Sequence, residues 1–383
     1  MKSIRLLAVL VVFLIVAQAA QADWSTVRRI TWTTGGSYNP AIAIDSSGNL
    51  HAVWQDHTPG NPEIYYKKST DGGATWSPSR RLTWTSGASY EPDIAVDSSG
   101  RVHVVWYDDT PGHFEIYYRG STDGGTSWLP SLRLTWTSVA AELPVIAVDG
   151  VERIHVVWHD YTPGNPDIYY RRSLTGGVSW TATQRLTWSS GNSMNPAIAC
   201  SPAGHLHVVW SDETPGNYEI YYVAGSNGGT TWSSPRRLTW NSGTSSSPDI
   251  AAHASGLIHV VWFDFSPWVL SEIYYKNSPD GGASWTSAKR LTWTPGGSYY
   301  PAIQLGFSGQ VHLFWNGYVG SSQEIFYKKS TDGGATWGST QRRTWTSGSS
   351  SSPAIAFDGS GDLHIVWNDD TPGNAEIYYL KGK

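Results

Sequence analysis

Cysteine is nearly absent from this chain of 383 residues, which has one, Cys200, and two methionines. A single thiol cannot form a disulfide within the chain, so we expect packing and hydrogen bonds to hold the fold. Cys200 stands where equivalent segments have Ile44 and Val96. This column indicates a small apolar side chain in the interior rather than a nucleophile.

Charge is also scarce. Only 15% of the residues are charged, and 26 Lys and Arg stand against 31 Asp and Glu, with no basic block. Such a composition gives no electrostatic reason to expect nucleic-acid or anionic-membrane binding. Glycine and proline, at 40 and 21 residues, are too few for a low-complexity chain, which predicts a folded protein in which they mark turns.

Long apolar runs are limited to the N-terminus. A short basic stretch and the apolar run 6–20 precede Ala20-Gln21-Ala22, the small-x-small pattern of a signal-peptidase site. The run is shorter than the roughly 20 residues of a membrane-spanning helix, although an uncleaved anchor is the alternative. We predict a signal peptide over residues 1–22, cleaved after Ala22, and a secreted or periplasmic protein without further membrane insertion.

Tryptophan is abundant, and most of its 22 copies recur every 52 residues. The first series ends a His-x-x-Trp motif, the second ends Arg-Leu-Thr-Trp and its variants, and the third follows a Gly-Gly turn. The first series is Trp54, Trp106, Trp158, Trp210, Trp262, Trp315 and Trp367. The second is Trp32, Trp84, Trp136, Trp188, Trp240, Trp293 and Trp345. The third is Trp76, Trp128, Trp180, Trp232, Trp285 and Trp337, with Trp24 as its seventh member. We interpret all three series as architectural, which leaves Trp268 alone outside them.

Each repeat predicts four short strands, because β-branched and aromatic runs alternate with Gly, Pro, Asp and Ser and no helical period occurs. Seven such units over residues 23–383 predict an all-β, seven-bladed β-propeller with one core between each pair of blades. The repeats begin with a fourth strand, 28–32, and end with a third, 376–379. We therefore expect the N-terminal strand to complete the last blade and close the ring.

The Gly-Gly turns resemble the Asp-box, or BNR, repeat (Ser-x-Asp-x-Gly-x-x-Trp) of sialidase-like propellers. The match runs from Ser69 to Trp76 and recurs in three other repeats, while Thr175 and Asn227 replace the Asp in two. We call these segments the box turns. The resemblance implies a structural hairpin on the face opposite the ligand site. We therefore interpret the aspartates as turn-forming rather than catalytic or metal-binding; they are Asp71, Asp123, Asp280 and Asp332.

The same resemblance implies that a sialidase would carry three converging arginines, a Tyr/Glu nucleophile pair and an Asp acid/base. Almost all basic residues of the mature chain repeat in two columns. Only Arg101, Arg153 and Lys383 fall outside these columns, and we expect the two arginines on the box-turn face. An asymmetric arginine triad for a carboxylate is therefore missing, which puts sialidase chemistry in doubt.

Two further columns carry titratable groups. A histidine begins each second strand, where hydrogen-bonded structure is favoured over a metal or acid/base ring. An acid precedes each Ile-Tyr-Tyr or its variant, where we expect pairing with a fourth-strand arginine. We predict no cofactor and no metal. The histidines are His51, His103, His155, His207, His259, His312 and His364, and the acids are Glu63, Glu115, Asp167, Glu219, Glu272, Glu324 and Glu376.

The face opposite the box turns is left for function. Most blades present Trp-x-Asp-x-Thr-Pro-Gly there, next to Ser-Tyr-x-Pro segments. Carboxylates beside aromatic rings suit sugars, and repeated pockets would give a multivalent lectin. The equally weighted alternative is that the aspartates shape turns. They are Asp56, Asp108, Asp160, Asp212 and Asp369.

Blades five and six break the symmetry. Blade five has a longer loop containing Trp268, and blade six has lost the aspartate. Apolar side chains on a loop mark contacts, so we place a ligand site at this junction, with a loop folding over the channel as the alternative. Its residues are Phe263, Asp264, Phe265, Trp268, Asn316 and Tyr318.

We predict a monomeric, non-enzymatic binding module whose partner is a glycan or a cell-surface or envelope protein. A sialidase-like exo-glycosidase and a protein-interaction scaffold are the alternatives.

Overall fold

The computed structural model describes residues 24–162, 164–201, 204–265, 270–306, 309–371 and 373–383, and these residues form seven antiparallel sheets. The described residues contain no helix. The predicted signal peptide lies outside them, and no helix in this part of the chain could cross a membrane. The predicted all-β, seven-bladed propeller is confirmed.

Each blade contributes one strand to each of four columns, numbered outward from the channel. The first strands are Ser37–Ile44, Ser89–Val96, Ala141–Val148, Ser193–Cys200, Thr244–Ala252, Ser298–Leu305 and Ser350–Phe357. The second strands are Leu50–Asp56, Val102–Asp108, Ile154–Asp160, Leu206–Asp212, Ile258–Phe265, Val311–Val319 and Leu363–Asp369. The third strands are Glu63–Ser69, Glu115–Ser121, Asp167–Ser173, Glu219–Ser226, Glu272–Ser278, Ser322–Ser330 and Glu376–Gly382. The fourth strands are Arg80–Arg81, Leu132–Arg133, Gln184–Arg185, Arg236–Arg237, Lys289–Arg290, Gln341–Arg342 and, for blade seven, Arg28–Arg29; blade four adds Thr231–Trp232.

The ring is closed by the two ends of the chain, as predicted. Arg28 and Arg29 pair antiparallel with Tyr379 and Tyr378. Thr31, fully buried, donates to Glu376 Oε2 at 2.5 Å and accepts the backbone N–H of Ile377 at 2.8 Å. The closing strand therefore makes the same side-chain contacts as the fourth strands within the chain.

The cores lie between neighbouring blades, because each sheet is apolar on both faces. One cluster joins Val53 and Ile64 of blade one to Val104 and Trp106 of blade two, and seven such clusters complete the ring. The first tryptophan series is at most 2% exposed. Burying seven indoles in this way supplies a large share of the apolar area that holds the blades together.

The third tryptophan series packs across the same interfaces, half-buried, as the architectural interpretation expects. Trp128 meets Tyr66 of the preceding blade edge-on, with ring centroids 5.0 Å apart. Trp24 does the same with Tyr327 at 5.2 Å, and the Arg343 guanidinium lies 3.9 Å from its ring centroid. Trp24 thus takes the seventh position of the series.

The box turns are tight hairpins organised by their aspartates. Asp71 accepts the Thr75 backbone N–H at 2.8 Å and the Ser69 hydroxyl at 2.8 Å. These bonds stabilise the carboxylate and hold the Asp71 pKa at about 2. Where Thr175 replaces the aspartate, its hydroxyl accepts the Ser179 N–H at 2.8 Å, so the hairpin survives with a neutral acceptor.

The two titratable columns are structural. His51 Nδ1 lies 2.8 Å from the Tyr66 hydroxyl, and all seven histidines repeat this contact at 2.7–3.0 Å. Arg81 lies 2.6 Å from the buried Glu63, the pairing that the sequence predicts for every blade. Cys200 is half-buried, and desolvation raises its pKa, as expected for an inert thiol.

Candidate functional site

A bulge interrupts every first strand at the channel mouth, on the face opposite the box turns. The residue before the repeated proline has a φ between 44° and 54° in all seven blades, although none of the seven is glycine. A positive φ costs roughly 1–3 kcal/mol at a non-glycine residue and clusters at functional sites. We call these residues the mouth ring; they are Asn39, Glu91, Leu143, Asn195, Ser247, Tyr300 and Ser352.

The mouth ring lines a cavity of about 840 Å³. The proline that follows is the same in every blade, whereas the ring residue changes from amide to carboxylate, aliphatic, hydroxyl and phenol. A repeated scaffold with strained, cavity-facing side chains that vary makes the mouth ring the candidate surface for ligand contacts.

A second varying column stands behind the mouth ring, one residue after each first-series tryptophan. Gln55 Oε1 accepts the Glu91 backbone N–H at 2.9 Å, and Ser211 Oγ accepts the Ser247 N–H at 3.2 Å. These two members of the column therefore support the bulge of the next blade. Its members are Gln55, Tyr107, His159, Ser211, Phe263, Asn316 and Asn368.

Some polar atoms of this second column have no partner. Asn316 and Asn368 are 1% and 6% exposed, and their side-chain oxygens accept no hydrogen bond within the described structure. Buried polar atoms are nearly always satisfied in folded proteins. Of the two residues, Asn316 also lines the cavity.

Blades two and three form an acidic sector of the mouth. Burial, reinforced by the charge of Glu142, raises the pKa of Glu91 to about 7. The same two carboxylates add to the desolvation that raises the pKa of Tyr107. His159 is fully buried behind them, with its Nε2 3.7 Å from Glu142 Oε2.

Two aspartates tie first strands together deeper in the channel wall. Asp93 accepts the backbone N–H of Ile94 and, from the next blade, that of Ile146, both at 2.9 Å. Asp249 bonds Ile250 and Ile303 in the same way at 2.8 Å. Desolvation raises the pKa of both carboxyls to about 6 despite these bonds.

The junction of blades five and six brings together three of the residues that the sequence singled out. Phe263 lines the cavity, and its ring lies 5.6 Å from that of Tyr299 and 5.8 Å from that of Tyr300. Asn316 also lines the cavity, and Tyr318 packs on Tyr299 at 5.9 Å.

The remaining residues of that prediction are placed differently. Asp264 is 5% exposed and accepts the Ser245 hydroxyl at 2.9 Å, so it is part of the interior. Phe265 is 49% exposed at the end of its strand. Trp268 lies outside the described residues.

The five aspartates of the Thr-Pro-Gly loops are also interior. Each is at most 4% exposed, and Asp56 accepts the Thr58 backbone N–H at 2.9 Å and the Ser37 hydroxyl at 2.8 Å. The backbone bond recurs at 2.8–2.9 Å in Asp108, Asp160, Asp212 and Asp369. This placement fits the turn-forming interpretation and leaves no carboxylate open for a sugar.

The side chains of the second tryptophan series are exposed, contrary to the expectation from the sequence. These seven side chains, taken there as architectural and packed between blades, are 65% to 72% exposed at the outer rim. Trp84 lies between two guanidinium groups, with Arg81 of its own blade at 5.7 Å and Arg119 of the next at 5.8 Å from the ring centroid. The ring packs on these cations rather than in a core, beyond the end of the fourth strand at Arg81.

Sequence reasoning missed the mouth ring as well. A signal was present: one column varies beside an invariant proline in the Ser-Tyr-x-Pro segments. The sequence pattern favoured the repeated aspartates instead, and these are buried in the structure.

Comparison with known proteins places the fold. No protein-family model and no curated protein matches the chain. Among solved structures, a polysaccharide lyase, an ulvan lyase, is similar with a TM-score of 0.66 and 11% identity over 93% of this chain and 96% of that chain. The leech intramolecular trans-sialidase aligns with a TM-score of 0.56 and 12% identity over 80% of this chain and 70% of that one. An α-L-arabinanase of Penicillium chrysogenum aligns with 0.55 and 14% identity over 80% and 98%. At these identities the similarity concerns the fold alone.

Proposed function

We propose that this protein is a carbohydrate-binding module whose site is the channel mouth. The observation that carries this proposal is the mouth ring, seven strained positions with different side chains around one cavity. Strain of this kind is retained where the surrounding structure and a function require it.

The chemistry of the lining suits a saccharide. A cavity of about 840 Å³ falls within the roughly 300–1,000 Å³ of small-ligand sites. Tyr300 and Phe263 offer aromatic faces for the C–H surface of a sugar, while Asn39 and Asn195 offer amides for its hydroxyls. The unpartnered oxygen of Asn316, a residue of the cavity lining, adds an acceptor. Support by analogy comes from the similar folds, whose names describe enzymes acting on saccharides.

A glycan array followed by titration calorimetry of the best ligand tests the proposal. We expect about one ligand per chain and a loss of affinity of at least about tenfold in Tyr300→Asn, since asparagine tolerates a positive φ but lacks the ring. Leu174→Asn, an exposed change in a box turn, is the matched control and should bind normally. Equal binding by wild type and Tyr300→Asn, or saturation by seven ligands, would move the site away from the mouth.

Hydrolysis of a terminal glycoside is a second candidate. It is favoured by Glu91, whose raised pKa of about 7 suits a general acid, beside the second carboxyl of Glu142. A panel of chromogenic glycosides tests it, and a turnover that falls at least about a hundredfold in Glu91→Gln would support it. A turnover unchanged by that substitution assigns the activity elsewhere.

Export and the monomeric state stand as part of the proposal. Mass spectrometry of the protein recovered from outside the cytoplasm should give an N-terminus at Asp23, and native mass spectrometry should give one chain. An N-terminus at Met1 would instead support the anchor.

A further inference from the structure

The charge of the channel mouth is confined to one side of the ring. Glu91 and Asp93 are the only charged residues among the described residues that line the cavity, and no Lys, Arg or His lines it. Glu142 of the next blade stands close enough to raise the pKa of Glu91. At the mouth-ring position the other six blades place amides, hydroxyls, an aliphatic side chain and a phenol.

No Lys or Arg among the described residues pairs with these carboxylates. The groups around Glu91 are Glu142, Tyr107 and the side-chain amide of Gln55, whose Oε1 accepts the Glu91 backbone N–H, and in the described structure none donates a hydrogen bond to the Glu91 carboxylate. The buried acids that begin the third strands are matched, by contrast: Glu63, for example, holds Arg81 at 2.6 Å. The difference points to a positive charge supplied by a ligand.

A buried histidine stands beside Glu142 in the same sector. His159 is fully buried, and neither of its ring nitrogens has a hydrogen-bond partner in the described structure. Its Nε2 is directed at Glu142 Oε2 from 3.7 Å, beyond hydrogen-bond distance. Polar groups buried without a partner are expected to be satisfied by a water or a bound molecule.

We propose that the channel mouth takes a saccharide bearing a free, protonated amine, with the ammonium group on the side of the ring that carries Glu91 and Glu142. This inference rests on the proposed function and specifies its ligand. A uronate or a sialic acid would bring a second negative charge to an acidic sector, and an N-acetylated sugar would leave that sector uncompensated.

Three oligosaccharides of equal length separate these classes in calorimetry at pH 7 and low salt: a glucosamine oligomer, its fully N-acetylated counterpart and a uronate oligomer. We expect the amine-bearing oligomer to bind at least about tenfold more tightly than the acetylated one, and the uronate not to bind. Because the ammonium favours the ionised form of Glu91, binding should release protons, and the heat should change with the ionisation enthalpy of the buffer.

Substitutions of single glutamates test which carboxylates bind the amine. Glu91→Gln and Glu142→Gln should each reduce the preference for the amine by about tenfold. Glu152→Gln makes the same change at a turn that contacts Ser98 and Ser99, and should leave the preference intact. Circular dichroism checks that each variant is folded.

The outcomes are distinguishable. Tighter binding of the acetylated or uronate oligomer, or an undiminished preference in both Gln variants, overturns the inference while the proposed function stands. Failure of all saccharides on the array and in calorimetry rejects the proposed function, and the inference with it.

Discussion

The exposed rim tryptophans predict that two indoles twenty-two residues apart differ several-fold in their contribution to stability. Trp106 is 1% exposed within the cluster between blades one and two. Replacing such a residue with alanine removes its transfer free energy and leaves a cavity, at a cost of about 3–5 kcal/mol. Trp106→Ala should therefore lower the free energy of unfolding by that amount.

Trp84 has little core contact to lose. Its packing is on the guanidinium groups of Arg81 and Arg119, at 5.7 and 5.8 Å, and it is 65% exposed. Cation–π contacts at exposed sites contribute about 0.5–1 kcal/mol each, so Trp84→Ala should cost about 1–2 kcal/mol. Trp188, which contacts only Arg185, should cost about half as much.

Guanidinium unfolding followed by far-UV circular dichroism measures all three variants without depending on tryptophan emission. The expected order of destabilisation is Trp106→Ala, then Trp84→Ala, then Trp188→Ala. If Trp84→Ala were as destabilising as Trp106→Ala, the rim indole would be a core residue, and our account of the second series would be wrong.

Three further predictions concern the framework. Thr31→Val removes both the bond to Glu376 and the acceptor for a backbone N–H, and should lower the free energy of unfolding in urea by about 2–3 kcal/mol. Thr135→Val, the equivalent change inside the chain, should lower it by the same amount. A smaller loss at Thr31 would show that the closing strand frays. Burial lowers the pKa of His259 to about 4, so the folded state takes up fewer protons than the unfolded one between about pH 6.5 and 4. The free energy of unfolding should therefore fall on acidification by about 1.4 kcal/mol per pH unit for each such histidine. His259→Gln should flatten the pH profile by one proton, and an unchanged slope would argue against a buried neutral imidazole. Thr175→Asp should stabilise the protein by about 0.5–1 kcal/mol at pH 7, because a carboxylate accepts the Ser179 N–H more strongly than a hydroxyl does; a lower melting temperature in calorimetry would contradict the turn-forming role of the aspartates.

The repeat, the blade count and the closure of the ring could be predicted from the sequence, because they depend on spacing. His-x-x-Trp and Ile-Tyr-Tyr recur at fixed intervals, and alternation within a seven-residue strand states which side chains face a core. The missing fourth strand after Tyr379 and the extra one before Ile30 leave a single way to complete blade seven.

The exposure of Trp84 could not be predicted in this way. The regular fourth strand is two residues long, so alternation gives no information three residues beyond it. The positive φ of Glu91 depends on a register shift between Tyr90 and Asp93, and thus on the partner strand. The sequence predicts that Asp56 is accessible to a ligand, because loop carboxylates are usually solvated. In the structure its carboxylate instead accepts the backbone N–H of Thr58, two residues along the chain.

Closure of the ring by both chain ends sets an order of events during synthesis. Thr31 and Glu376 are 345 residues apart in the sequence, yet their side chains meet in one buried contact. Six blades can assemble from local segments as the ribosome supplies them, whereas the seventh needs Tyr378 and Tyr379 to pair with Arg28 and Arg29. Until then the outer edge of the final sheet and the apolar face of the first sheet remain open. A chain that stops early therefore exposes both surfaces to proteases and chaperones.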